Sequence, residues 1–184
     1  AVLKSDGRVF AFGYNAYGQL GDGSSSRRTS PVQASLPAGA EVTQLHAGYN
    51  WVLALRQDGT VLHWGYGREG QAGDGGTSDT LTPHEIAALG SDNALVSGTG
   101  YTCLVLKADG ALWGWGGNPL GELADGTTTQ RNTPAQIASV GTDNAFVTGG
   151  FGHVLLLKAD GALMGWGRNY NGQLGNGNTD DQHS

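Results

Sequence analysis

Residues 65–70 read Gly65-Tyr66-Gly67-Arg68-Glu69-Gly70, a G-x-G-x-x-G just after the apolar run Val61-Leu62-His63-Trp64. That spacing suits dinucleotide binding. Its glycines let backbone approach a pyrophosphate, and a following helix offers its N-terminus to the anion. The residues after Gly70 decide the matter. They read QAGDGGTSDTLTP, with three more glycines, hydroxyl residues and then Pro83. This is turn chemistry without a 3.6-residue apolar period, so no helix opens there and the dinucleotide reading fails.

Other reactive side chains are equally scattered. Asp22, Asp74 and Asp125, with Asn176, sit in Asp-Gly-rich loops. A calcium loop needs several oxygens at close alternate spacing, and only Asp180-Asp181 is denser than one carboxylate per loop. His46, His63, His84, His153 and His183 occupy different places and are joined by no Cys or carboxylate cluster, which argues against zinc. No serine lies in a nucleophile elbow, and Glu41, Glu69, Glu85 and Glu122 form no obvious pair. The chain is expected to be no enzyme and to carry no cofactor, metal or catalytic residue.

The glycine motif has a simpler origin. FGYNAYGQLGDG from Phe12, WGYGREGQAGDG from Trp64, WGGNPLGELADG from Trp115 and WGRNYNGQLGNG from Trp166 recur at spacings of 52, 51 and 51 residues. Gly67 stands where the other copies have Asn15, Asn118 and Asn169. Gly and Asn share tolerance of the left-handed region, so a positive φ is expected at that place.

Each unit has the same parts. An apolar run leads to Asp6-Gly7, Asp58-Gly59, Asp109-Gly110 or Asp160-Gly161. Asp-Gly between apolar runs predicts a hairpin, with a type I′ turn expected and Gly7, Gly59, Gly110 and Gly161 as structural residues. A return strand ends in Phe12, Trp64, Trp115 or Trp166, each followed by Gly. A polar loop closes at Pro31, Pro83 or Pro134, and a short strand and a weakly apolar stretch follow. Four short strands per unit, no helix and tandem repetition predict an all-β protein, a β-propeller of four-stranded blades. Each unit is expected to form one sheet, with Phe12, Trp64, Trp115 and Trp166 wedged between blades. The chain reads as a single propeller domain or partial propeller over 1–184, with units at about 1–48, 49–99, 100–150 and 151–184.

Composition agrees. The 184 residues include 33 glycines, with no collagen-like period of three, and carry a formal net charge of −6. The acidic balance argues against a nucleic-acid partner or a membrane surface. No apolar run approaches the length of a membrane-spanning helix. Cys103 is alone, so no internal disulfide forms. The chain begins AVLKSDG, without Met and inside a repeat, which reads as a processed, excised or partial chain.

The pattern Asp-Gly-x-Val/Leu-x-x-Trp-Gly-x-Asn-x-x-Gly-Gln-Leu-Gly-Asp-Gly, followed by Pro, resembles the regulator of chromosome condensation repeat. Gly150-Phe151-Gly152-His153 is similar to that family's Gly-x-x-His lead-in. The resemblance spans essentially the whole chain. Departures are Trp51 and Thr102 in place of the His, Ala72 and Ala124 within the Gln-Leu-Gly-Asp-Gly run, and Phe12 for a Trp. The resemblance implies a seven-bladed ring, of which about 3.6 units are present. Further blades, or a homodimer, would then complete it.

Function is expected at a surface. Tyr49, Trp51, Tyr101 and Phe151 precede the apolar runs, and such loops would share one face of a propeller. Aromatics concentrate binding energy at interfaces, although rings can equally fill space between blades. Tyr14, Tyr17, Tyr66, Arg68, Glu69 and Tyr170, in the loops after the aromatic-Gly pairs, form a second candidate face. The expected function is a protein–protein interaction or scaffold module with an unidentified protein partner. The resemblance also implies two alternatives, a guanine-nucleotide exchange factor for a small GTPase and a secreted inhibitor of an enzyme such as a β-lactamase. The acidic charge and missing blades argue against the former. The lead-ins Gly90–Ala94 and Gly141–Ala145 resemble bacterial members, which favours a secreted or cell-surface location over a cytoplasmic or nuclear one.

Overall fold

The structure is a computed structural model that describes all 184 residues. It contains fourteen strands: β1 Val2–Leu3, β2 Val9–Gly13, β3 Arg28–Gln33, β4 Val42–Ala47, β5 Trp51–Arg56, β6 Val61–Gly65, β7 Thr80–Glu85, β8 Asn93–Gly98, β9 Thr102–Lys107, β10 Leu112–Gly116, β11 Arg131–Gln136, β12 Asn144–Gly149, β13 His153–Lys158 and β14 Leu163–Gly167. They form four antiparallel sheets, β1-β2-β3, β4-β5-β6-β7, β8-β9-β10-β11 and β12-β13-β14. Successive sheets touch through β4, β8 and β12. This is an arc of a β-propeller with those strands innermost.

The sheets are out of phase with the sequence units. β4 ends the first unit in sequence but pairs with β5, so it opens the second sheet. β8 and β12 do the same for the third and fourth. The expectation of one unit per sheet is therefore corrected.

The Asp-Gly pairs do form hairpins, but with a different turn. Gly59 N–H donates to the Arg56 carbonyl and Arg56 N–H to that of Thr60. Gly7, Gly59, Gly110 and Gly161 have φ of 78°, 80°, 81° and 90°, while no Asp has a positive φ. A type I turn closed by a left-handed glycine bulge fits, not type I′. Asp58 Oδ1 accepts from Thr60 N–H at 3.1 Å, so the carboxylate fastens the bulge.

The outer strands cross their prolines instead of starting after them. β3, β7 and β11 contain Pro31, Pro83 and Pro134 next to register shifts, for example between Ala11↔Val32 and Gly13↔Arg28. An edge strand tolerates the missing N–H. Two short 3-10 turns, Ala87–Leu89 and Ala138–Val140, interrupt the otherwise helix-free chain. The lysines of the next hairpin cap them: Lys107 Nζ donates to the Leu89 carbonyl and to Asp92, and Lys158 Nζ to Val140 and Asp143. Asn93 and Asn144 fasten the lead-ins, donating to the carbonyls of Gly59 and Gly110.

The expected positive φ at Asn15, Asn118 and Asn169 is absent. What that place requires is a side-chain amide. Asn118 is buried; its Nδ2 donates to the carbonyls of Thr127 and Thr129 at 3.0 and 3.2 Å, and its Oδ1 accepts from Leu123 N–H at 2.8 Å. Asn15 and Asn169 repeat this arrangement around their own loops. Gly67 cannot. There Asp79 Oδ1 accepts from the Gly67 N–H instead, at 3.1 Å.

The core lies between sheets. Val9, Val42, Val52, Leu62 and Trp64 join the first two, and Leu53, Val61, Ile86, Val105 and Trp115 the second and third. Leu104, Leu112, Ile137, Leu156 and Trp166 join the third and fourth. Each indole donates to a main-chain carbonyl of the preceding sheet's loop: Trp64 to Gln19, Trp115 to Gln71 and Trp166 to Glu122, at 3.1, 2.9 and 2.7 Å. Phe12 is the exception. It is 58% exposed, because its face of the first sheet is uncovered, and its ring has no N–H to donate.

Candidate functional site

The candidate surface forms where the inner strands end. In the last three sheets the lead-in closes by the same bond: Gly48 N–H to Trp51 O, Thr99 N–H to Thr102 O and Gly150 N–H to His153 O. Neighbouring turns are also joined. Tyr49 N–H donates to Gly100 O at 3.1 Å, and Gly100 N–H to Phe151 O at 2.8 Å. This main-chain link brings residues about fifty apart in sequence to one place.

Three rings consequently meet. Tyr49 and Tyr101 have centroids 6.0 Å apart, and Phe151 lies 6.2 Å from each. Two of the three contacts are edge-on, the arrangement that aromatic quadrupoles favour. Tyr49 and Phe151 remain 64% and 55% exposed, so the triad is packed at its base and open above. Beside it, a cleft of about 290 Å³ is lined by Gly48, Tyr49, Gly98, Gly100, Gly149 and Phe151 among others.

The two sets of aromatics expected on separate faces form one. Tyr101 lies 6.5 Å from Tyr66, Tyr66 lies 5.2 Å from Tyr17, and Tyr17 lies 6.1 Å from Tyr14. Six rings thus run continuously over all four sheets. The Arg68 guanidinium lies 5.5 Å from the Tyr17 ring centroid and pairs with Asp79 at 3.1 Å. Tyr170 is exposed and joins no ring contact.

Trp51 does not belong to this surface. It is 1% exposed, and its indole N–H donates to Gly100 O at 2.9 Å. The main chain there turns its ring under the lead-ins, against His46 and His63. Its place in the aromatic register is that of a core residue.

Two carboxyls lie on this side, Glu69, expected there from the sequence, and Glu122, which was not. Glu69 is partly buried, and that burial raises its pKa above the ordinary range. Its Oε2 lies 2.2 Å from where a Cβ on Gly117 would stand, so only a glycine leaves room for it. Glu122 is 1% exposed. Burial raises its pKa, helped by the fields of Glu69 and Asp181 and opposed by the Leu120 N–H, which donates to Oε2 at 2.8 Å. The signals were visible as departures from the repeat. Gly117 replaces Tyr14, Tyr66 or Arg168, and Glu122 replaces Gln19, Gln71 or Gln173.

The Asp residues of the polar loops fasten turns. Asp22 and Asp125 accept from the N–H groups of Ser24 and Thr127 and pair with Arg28 and Arg131. No group of three or more His, Cys, Asp or Glu is placed to hold a metal ion.

Two matches to a family model described as the Regulator of chromosome condensation (RCC1) repeat cover residues 6–55 and 145–173. The chain is similar to the Ultraviolet-B receptor UVR8 of Arabidopsis thaliana, at 29% identity over 100% of this chain and 42% of that protein. It is similar to the E3 ubiquitin-protein ligase HERC2 of Homo sapiens, at 30% identity over 96% of this chain and 4% of that one. Among solved structures, human WBSCR16 superposes with a TM-score of 0.87 and 26% identity, over 98% of this chain and 48% of that one. Yeast RCC1 (Prp20), solved with Kap60 bound, gives 0.77 and 23%, over 90% and 39%. The chain spans less than half the length of each of these relatives.

Proposed function

The chain belongs to the regulator of chromosome condensation repeat family, and from that premise we propose that it is a protein-docking arc, without catalysis of its own, that binds through its six-ring face. The observation that carries this reading is the Tyr49–Tyr101–Phe151 triad, held by main-chain bonds yet open to solvent. Exposed rings fixed in place lose little conformational freedom on binding, which is what interface anchors require. A structural neighbour, yeast RCC1 (Prp20), is itself bound to a protein, Kap60.

A peptide library displayed on phage and panned against the whole chain tests the proposal. Selected ligands are expected to lose at least tenfold in affinity for Tyr49→Ala and Phe151→Ala and to bind Asp160→Ala unchanged. Ligands that ignore the two aromatic variants would overturn it.

A further inference from the structure

At each junction on the aromatic face, a loop residue of one sheet meets a loop residue of the next. At the first junction Tyr17 meets Tyr66, with centroids 5.2 Å apart. At the third, Leu120 and Arg168 close over Gly152; Leu120 Cδ1 and Arg168 Cβ lie 2.8 and 3.5 Å from where its Cβ would be. The middle junction differs, because Glu69 meets Gly117. Glu69 Oε2 and Tyr101 Cβ lie 2.2 and 3.0 Å from the place of the missing Gly117 Cβ. The carboxyl therefore fills the space that a side chain at 117 would take, beside Tyr101.

Nothing neutralises it there. Neither carboxyl oxygen of Glu69 takes part in a side-chain hydrogen bond or ion pair; only its backbone N–H is engaged, with Gln71. The neighbouring Arg68 is committed to Asp79 through Nε and Nη2, at 3.2 and 3.1 Å. Arg168 lies at the next junction, beside Leu120 and Gly152. Burial raises the Glu69 carboxyl, and the Glu69 charge in turn raises that of Glu122. A carboxylate partly withdrawn from water gains from a cation more than an exposed one does, and tyrosine faces attract the same charge.

Resting on the docking face proposed above, we infer that Glu69, held in the place that Gly117 leaves open, takes a cationic side chain of a partner protein, arginine or lysine, with the Tyr66 and Tyr101 rings beside it. The apolar part of the partner then lies on the Tyr49–Phe151 triad. Tyr at the place of Gly117, as in the first two units, would displace the carboxyl.

The test titrates the 15N-labelled chain with the blocked tripeptide Ac-Gly-Arg-Gly-NH2 and with its citrulline counterpart, which keeps the shape without the charge. The expected result is saturable amide shifts at Glu69, Tyr101 and Gly117 with the arginine peptide. Affinity should fall about tenfold with citrulline and in Glu69→Gln, which corresponds to about 1.4 kcal/mol. Gly117→Tyr is a second variant, expected to lose the same shifts by pushing the Glu69 carboxyl out of its place. Equal binding of the arginine and citrulline peptides, or arginine binding unchanged in both variants, overturns the inference. Displayed ligands that need Tyr49 and Phe151 but ignore Glu69→Gln would leave the docking face standing and sink the cationic partner alone.

Discussion

The indole N–H of Trp115 donates to the main-chain carbonyl of Gln71 at 2.9 Å, from one sheet to the loop of the sheet before it. The same bond recurs from Trp64 to Gln19 and from Trp166 to Glu122. Each junction therefore combines a large apolar wedge with one directional bond that sets its register. Trp115→Phe keeps most of the wedge and should cost about 1–2 kcal/mol, largely for the bond. Trp115→Ala should cost about 3–5 kcal/mol. Urea unfolding midpoints measure both, and a Trp115→Phe loss near zero would mean that the bond contributes nothing.

Asn118 is expected to matter more than its small size suggests. Removing the amide in Asn118→Ala leaves the Leu123 N–H and the Thr127 and Thr129 carbonyls without their buried partner. The loss should be about 3 kcal/mol, with faster hydrogen exchange at the Leu123 amide. A loss below about 0.5 kcal/mol would show that water replaces the amide without penalty.

His63 should make the protein acid-sensitive. Burial lowers its pKa from 6.5 to about 3, and the nearby His84 adds to the effect. His63 Nε2 and His84 Nδ1 are buried without partners, and the two rings meet edge-on across β6 and β7 at 5.5 Å. Above about pH 6.5, His63 is neutral whether folded or unfolded, so it adds no pH dependence. Below that, the unfolded chain takes a proton that the folded chain refuses until about pH 3. Stability should fall with pH across that window by up to about 1.4 kcal/mol per unit from this group. His63→Ala, which installs the residue found at Ala11, should flatten the slope whatever it does to the overall level. An unchanged slope would refute the assignment.

Glu122 should act in the opposite sense. Its folded carboxyl is raised, so the folded state holds the proton more tightly than the unfolded one. Its contribution is fully present below about pH 4.5 and is lost as pH rises through the folded value. Gln19 and Gln71 occupy the same place and donate across the junction to Asn50 Oδ1 and to Tyr101 O, at 2.9 and 3.0 Å. Glu122→Gln should therefore match the parent at pH 4 and exceed it in melting temperature at pH 8. A variant less stable at pH 8 would count against it.

Much of the fold was legible because repetition exposed it. Four Asp-Gly pairs marked four hairpins, and Trp64, Trp115 and Trp166 marked the junctions. What escaped was decided by contacts between units. Asp-Gly suits two hairpin turns, and the bulged one was revealed only by the bond from Gly59 back to Arg56. Gly67 and Asn118 share a position for unlike reasons, one with Asp79 as its partner and the other supplying its own amide. Trp51 and Tyr49 are two residues apart and look alike in composition, yet one is core and the other surface. The surface was half legible: its aromatics were named, but their union required the bonds from Tyr49 to Gly100 and from Gly100 to Phe151.

The half-step between sequence unit and sheet has a consequence for how such a chain changes and fails. Each repeat overlaps its neighbour like a roof shingle, because it ends in the inner strand of the sheet that the next repeat completes. A unit gained by duplication arrives already laced to the sheets on both sides, so the array can lengthen without a seam. The same lacing means that damage does not stop at a repeat boundary. Tearing β5–β7 away strands β4, which belongs to the unit before, and loosening spreads along the arc instead of releasing one blade cleanly.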